Sequence, residues 1–271
     1  MMFSQLTLSE GEIPMKKWIL LVLMACILGV CAHAMAAEQL RIANEGEYPP
    51  FNLTNAKGQL EGFDIDIANA ICKAMNVEPV FVVQDWNGII PGLLAKKYDC
   101  IISSMSITDE RKKQVDFTDP YYQVPARFVT KNDSGLKISP DGLKGKRVGV
   151  QKATTYANYL EGVYSGVVEI VYYDNIESHN MDLANGRLDA VLGQAYLMGK
   201  WLETPEAKGF GFVGDPVTDV KYIGHGAGIA VRKEDQKLRD RINAALHQII
   251  ADGAHKKIAG KYFSFDLLKY K

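Results

Sequence analysis

From residue 40 onward, short apolar runs alternate with segments whose apolar residues recur at helical spacing. No other feature constrains the fold as tightly. Strands and helices in alternation pack as α/β layers, because each helix needs a sheet face to cover. Leu40-Arg41-Ile42-Ala43 reads as a strand ending at the acidic, Gly- and Pro-containing loop Asn44 to Pro50. After Gly62, the spacing of Ile67, Ile71 and Met75 predicts a helix over Phe63 to Met75. Val80 to Val83 is a strand, Trp86 to Lys96 a helix that tolerates Pro91, and Cys100-Ile101-Ile102 a buried strand. Thr108 before Asp109 and Glu110 has the residues of a helix start. Ala126 to Thr130 precedes a polar connector, Lys131 to Gly145.

The alternation then resumes. Val148 to Val150, Glu169 to Tyr172, Ala190 to Leu192 and Ile229 to Val231 read as strands. Thr155 to Leu160, Ile176 to Asn185, Gln236 to Asp252 and His255 to Tyr262 read as helices. The connector marks a place for a second domain to begin. Periodicity alone does not show whether the chain crosses back.

The residues before this pattern have a different character. From Met15, Lys16 and Lys17 precede a nearly unbroken apolar run, Trp18 to Val30. Two small-residue cleavage patterns follow, Ala32-His33-Ala34 and Ala34-Met35-Ala36. This is the layout of a cleaved secretory signal, with cleavage expected after Ala36. Glu10 and Glu12 are wrong for the basic leader segment, which points to Met15 as the start. Cys26 and Cys31 are poor matches to a lipid-attachment site, so lipoprotein anchoring is the weaker expectation. No later run approaches the roughly 20 apolar residues of a spanning helix.

Composition excludes several function classes. With 31 Lys+Arg against 32 Asp+Glu, nothing in the net charge of −1 favours nucleic acid. A hydrophobic content of 47% is too high for a disordered chain, and 4 cysteines are too few for a cystine-stapled scaffold. Only Cys72 and Cys100 would survive cleavage; they could pair in an oxidising compartment, but two free, buried thiols are the stronger expectation. His179, His225, His247 and His255 lack metal-ligand spacing, and there is no Gly-x-Ser-x-Gly elbow. No metal, cofactor or catalytic residue is expected.

Loops after the strands hold the candidate binding residues. Ser103, Ser104 and Ser106 bring hydroxyls and N–H groups to a helix start, a setting that suits a carboxylate and equally suits a plain capping turn. Arg111 lies at the start of that helix, and its planar fork fits a carboxylate. Thr154 and Thr155 repeat the theme in the second half, as expected for a ligand held between two domains. Glu45 and Glu47 follow the first strand and could meet a cationic group, though solvated loop acids are the commoner case. Tyr48 and Trp86 offer aromatic faces at loop and helix-start positions.

Longer motifs carry a resemblance. They are Glu61-Gly62-Phe63-Asp64-Ile65-Asp66, Asp85-Trp86-Asn87-Gly88-Ile89-Ile90-Pro91, Asp99 to Arg111, Gly145 to Val150, Gly186 to Ala190, and Gly228 to Lys233. Together they resemble the periplasmic solute-binding proteins, family 3, of polar amino-acid ABC importers. The likeness is to the lysine/arginine/ornithine and histidine binders and their opine-binding relatives, over 39–268. The resemblance implies a two-lobed periplasmic binding protein-like fold (type II), with the ligand cleft between lobes joined by two hinge strands. Lobe one would be 37–124 plus 224–271 and lobe two 125–223, which replaces a simple split at the connector.

The resemblance also implies residue roles. Arg111 would grip an α-carboxylate, helped by backbone N–H groups at Ser106 and Thr155. Ser104 would help hold the α-amino group, Tyr48 and Trp86 would sandwich the side chain, and Glu45 would meet its distal cation. Two positions depart from the pattern. Gln194 stands where the family usually has an Asp that pairs with the α-ammonium, so Glu47 or a modified amine is a candidate compensation. Cys72 lacks the local disulfide partner of some relatives, because Pro79 lies near that position. Gln151 makes the side-chain pocket more polar. The implied function is capture of a cationic amino acid or opine-like derivative and delivery to an inner-membrane ABC permease, as a periplasmic monomer. The alternatives are a cyclohexadienyl-dehydratase-like enzyme and a ligand-sensing surface protein.

Overall fold

The structure is a computed structural model and describes residues 38–264, 267 and 268. The expected export signal and its expected cleavage site, with Cys26 and Cys31, lie outside the described residues. Strand β1 (Gln39–Asn44) becomes fully buried toward its end. A small antiparallel sheet follows, made of β2 (Glu47–Tyr48), β3 (Asn52–Thr54) and β4 (Leu60–Glu61). The helix Phe63–Met75 begins after Gly62, whose φ is +125°. A Cβ there would sit 2.5 Å from the Phe51 carbonyl oxygen, so no other residue fits without movement. Asn76 ends the helix in the left-handed conformation, its N–H bonded to the Cys72 and Lys73 carbonyls. Phe63, Ile67 and Ile71 are fully buried, and the helix packs against Gln236–Ala251. Truncating Ile71 to Ala in such a setting costs about 2–5 kcal/mol.

Strands β5 (Glu78–Val83), β6 (Cys100–Ile101) and β7 (Val115–Phe117) complete the first half. The chain then leaves for a second sheet. There it forms β8 (Ala126–Lys131), β9 (Arg147–Gln151), β10 (Glu169–Tyr173), β11 (Ala190–Gln194) and β12 (Phe210–Val217). It returns to the first sheet as β13 (Ala230–Arg232). The two five-stranded sheets have the orders β5-β1-β6-β13-β7 and β10-β9-β11-β8-β12. β1 runs parallel to β5 and β6, and β9 to β10 and β11, whereas β13 is antiparallel to β6 and β7, and β8 to β11 and β12. The architecture is therefore α/β and two-lobed, with the chain crossing between sheets twice.

Several elements differ from the sequence reading. The helix from Trp86 stops at Leu94, because the Ala95 and Lys96 N–H groups close on Pro91 and Leu93 and Lys96 turns to φ 60°. The connector contains a short helix, Pro140–Leu143, capped by the Ser139 hydroxyl. Helix Ala195–Leu202 and strand β12 have no counterpart in the reading above. Cys72 and Cys100 are buried free thiols, and burial pushes Cys72 to about 11. Among the described residues no helix is long and apolar enough to cross a membrane, and no group of His, Cys, Asp or Glu could hold a metal ion.

Candidate functional site

Open parallel sheets place their loops at the carboxyl ends of the strands, and ligands bind there. Glu45 follows β1, Trp86 opens the helix after β5, Ser103 follows β6, and Gln151 ends β9. These four ends converge on one narrow cavity of about 20 Å³. Its wall contains Glu45, Tyr48, Trp86, Ser103, Ser104, Ser106 and Arg111 from the first sheet's loops. Gln151, Thr154, Thr155 and Tyr156 come from the second.

Arg111 is built into the wall from below. Thr108 caps its short helix, the hydroxyl accepting from the Arg111 N–H at 3.3 Å. The guanidinium donates to the Ser106 carbonyl at 3.0 Å and, across the lobes, to the Ala153 carbonyl at 3.3 Å. Its centre lies 5.2 Å from the Trp86 ring centroid. Burial lowers its pKa to about 10, which still leaves it charged. Among the described residues no carboxylate pairs with it. A partly buried guanidinium with unused donors beside a cavity is an anion site in waiting. Facing it is the start of the helix Thr155–Tyr164, capped by Thr154. The Thr154 hydroxyl accepts from the Ala157 N–H at 3.2 Å and donates to the Gln151 carbonyl at 2.6 Å. The first N–H groups of that helix have no partner within it.

Glu45 supplies the opposite charge. It is 6% exposed, and its carboxylate accepts from the Gln151 amide at 2.7 Å. Burial pushes its carboxyl up to about 7, against the Gln151 hydrogen bond, and the acids Glu47, Asp85 and Asp64 push in the same direction. Gln151 also donates to the Asp174 carbonyl of its own lobe at 3.1 Å, and its bond to Glu45 bridges the lobes. Trp86 does the same through its indole N–H, 3.1 Å from the Ala153 carbonyl. The Glu45 N–H donates to the Ser103 hydroxyl at 3.0 Å, which fixes the turn after β1.

Backbone strain collects at Ser104 on this wall and at Ala153, whose carbonyl accepts from Arg111 and Trp86. Ser104 and Ala153 have φ of 53° and 57° without being glycine. Such conformations cost about 1–3 kcal/mol each and persist where the surroundings enforce them. Behind Ser104 lies Asp64, fully buried on the first turn of its helix. It accepts from the Ser104 hydroxyl at 2.9 Å, the Tyr121 hydroxyl at 2.7 Å and the Asn52 amide at 2.8 Å. Nothing in the sequence alone singles out Asp64 or Tyr156 as a site residue. An acid in a helix's first turn reads as a partner of the helix dipole, and Tyr156 reads as an ordinary helical aromatic.

Two expected site residues lie elsewhere. Glu47 is exposed and lines a larger neighbouring groove that shares Glu45 but contains neither Arg111 nor the serines. Gln194 is 3% exposed and is not on the cavity wall. Its amide donates to the Tyr122 hydroxyl at 3.1 Å, and its carbonyl oxygen has no hydrogen-bond partner. Gln194 is both the last residue of β11 and the cap of helix Ala195–Leu202, and Tyr122, 72 residues away, takes its side chain.

Comparison with known proteins supplies the family. The chain matches the bacterial extracellular solute-binding proteins, family 3, over residues 40–265. It is 46% identical to an L-arginine-binding protein of Pseudomonas aeruginosa, over 93% of this chain and 98% of that one. It is 40% identical to the lysine/arginine/ornithine-binding periplasmic protein of Escherichia coli, over 93% and 99%. Among solved structures, a Salmonella typhimurium periplasmic binding protein described for its high arginine specificity is similar, with a TM-score of 0.77 and 36% identity. That match covers 84% of this chain and 100% of the other. With a family match and full-length relatives of this identity, the chain belongs to the bacterial extracellular solute-binding proteins, family 3.

Proposed function

We propose that this protein captures a basic amino acid, arginine first among the candidates, in the periplasm and presents it to an ABC permease of the inner membrane. The observation that carries the reading is a pair of unneutralised charges on one cavity wall. Among the described residues Arg111 offers a bidentate grip with no carboxylate partner, and Glu45 a buried carboxylate with no cation. A zwitterion with a cationic side chain satisfies both. Its α-carboxylate takes Arg111 and the start of the helix at Thr155, its side chain lies along Tyr48 and Trp86, and its distal cation meets Glu45. The arginine and lysine/arginine/ornithine relatives support the same chemistry. In this reading 37–124 with 224–271 form one lobe and 125–223 the other. The lobes close by bending at the two crossings, and the protein acts as a monomer.

The reading is binding without turnover. Glu45 has the elevated carboxyl of a general acid, yet its oxygen is held by Gln151. Glu47 stands outside the cavity. Incubation with prephenate or arogenate is expected to yield no aromatic product. Calorimetry on ligand-stripped protein with arginine, lysine, ornithine, histidine, glutamine and opines tests the ligand class. Saturable one-site binding, tightest for a basic member, supports it, and no heat from any of them overturns it.

A further inference from the structure

We infer that Asp64 is the counter-charge for the ligand's α-ammonium, acting through the Ser104 hydroxyl as a positioning residue. The inference deepens the proposed function and rests on it. An ammonium group in a closed cleft needs acceptors and a nearby negative charge. Gln194 brings no charge, and its amide is engaged with Tyr122. Glu45 is assigned to the far end of the ligand. Ser104 is the cavity-wall residue directly joined to another carboxylate.

The hydrogen-bond directions decide what Ser104 presents. Its hydroxyl proton goes to one Asp64 oxygen at 2.9 Å. Its N–H donates to the Tyr121 hydroxyl at 3.0 Å, and that hydroxyl donates to the other Asp64 oxygen at 2.7 Å. Both donors of Ser104 are therefore committed toward Asp64, directly or through Tyr121. Only oxygen lone pairs remain for the cavity, and lone pairs accept from an ammonium but offer nothing to a hydroxyl-free or keto position. The same bonds hold Ser104 at its positive φ.

Asp64 also keeps its charge. It is fully buried, and among the described residues it has no cationic partner, only the Ser104, Tyr121 and Asn52 donors. Burial raises its carboxyl to about 6, with the hydrogen bonds from Tyr121, Asn52 and Ser104 opposing, so it is ionised at neutral pH. Its field reaches the surrounding groups and contributes to the upward shifts of Tyr122 and Glu45. Asn52, which donates to Asp64, also accepts from the Gly46 N–H at 2.9 Å. One carboxylate thus orders both the amine end and the turn that carries Glu45.

The test compares L-arginine with 5-guanidinopentanoate, which is arginine without its α-amino group, by calorimetry. Asp64→Asn removes the charge while its carbonyl can still accept from Ser104 and Asn52. It is expected to weaken arginine about ten- to hundredfold and the deaminated analogue less than threefold. Ser104→Gly keeps the positive φ and removes the relay, so it should reproduce that selective loss. Adding Asp64→Asn to it should then change arginine binding little. Equal losses on both ligands, or an unchanged arginine affinity, overturn the inference. Should Asp64→Asn fail to fold by circular dichroism, Ser104→Gly alone decides by the same ratio. Failure of the wild-type protein to bind arginine or any other basic amino acid overturns the proposed function instead.

Discussion

Replacing Glu45 by Gln isolates the charge on which cation recognition turns. The amide keeps the side chain's shape and an oxygen to accept from Gln151, now 2.7 Å away. In the free protein the Glu45 carboxyl stands at about 7, raised first by burial and then by neighbouring acids. A cation binds its ionised form, so binding must expel the proton wherever the site is protonated. The sign follows: affinity is full above about pH 7 and falls about tenfold per unit below it. At pH 5.5 the proton costs about 2 kcal/mol, a loss of about thirtyfold relative to pH 8. Asp64, raised to about 6 by burial, adds a smaller loss of about fourfold over the same interval. Glu45→Gln should cost arginine about 2–5 kcal/mol at pH 8, because a guanidinium in a closed cleft loses its partner. It should leave citrulline, the neutral isostere, within about tenfold. Its remaining pH dependence should shrink to the share of Asp64. The assay is calorimetry from pH 5.5 to 8 with both ligands. A wild-type arginine affinity that ignores pH, or a slope that survives intact in Glu45→Gln, refutes the reasoning.

Other consequences follow from the same geometry. Arg111→Ala should weaken arginine at least a hundredfold by calorimetry, and Arg111→Lys should recover only part, since a lysine has neither the planar fork nor the stacking on Trp86. Gly224, on the returning crossing, has φ +81° and would place a Cβ 2.2 Å from the Ile107 carbonyl oxygen. Gly224→Ala should therefore cost more than about 2 kcal/mol and lower Tm by about 4–8 °C in a thermal melt. His179 is fully buried, and burial lowers its pKa to about 3. Because the unfolded chain protonates this ring near 6.5, stability is lost as pH falls below that value. By pH 5 the loss is about 2 kcal/mol. His179→Leu should flatten that part of the urea-unfolding profile, and an unchanged slope would assign the acid sensitivity elsewhere.

Sequence carried the elements whose signals are local. The helix Phe63–Met75 has its apolar spacing, a glycine entry and an Asn stop within one stretch, and the structure forms it over that span. Strand β12 hides its nature because Gly211, Gly214 and Pro216 break the alternation and the pairing shifts between Val213 and Val217. Helix Ala195–Leu202 escapes notice because it starts directly at the end of β11 with no polar loop between. The cavity shows the same division. Serines, threonines and Arg111 were visible because capping residues after strands mark helix starts. Asp64 was not, because its place behind Ser104 depends on Tyr121, 57 residues away. Gln194 was placed at the amine by resemblance, whereas its packing against Tyr122 is a product of tertiary structure.

Native mass spectrometry of the freshly purified mature protein tests the central claim most directly. A one-to-one mass increment identified after release as arginine, lysine, ornithine or histidine is the predicted result. Protein stripped of it should recover the same increment on adding arginine. A neutral or acidic released ligand, or a stripped protein that takes up no basic amino acid, would contradict the account.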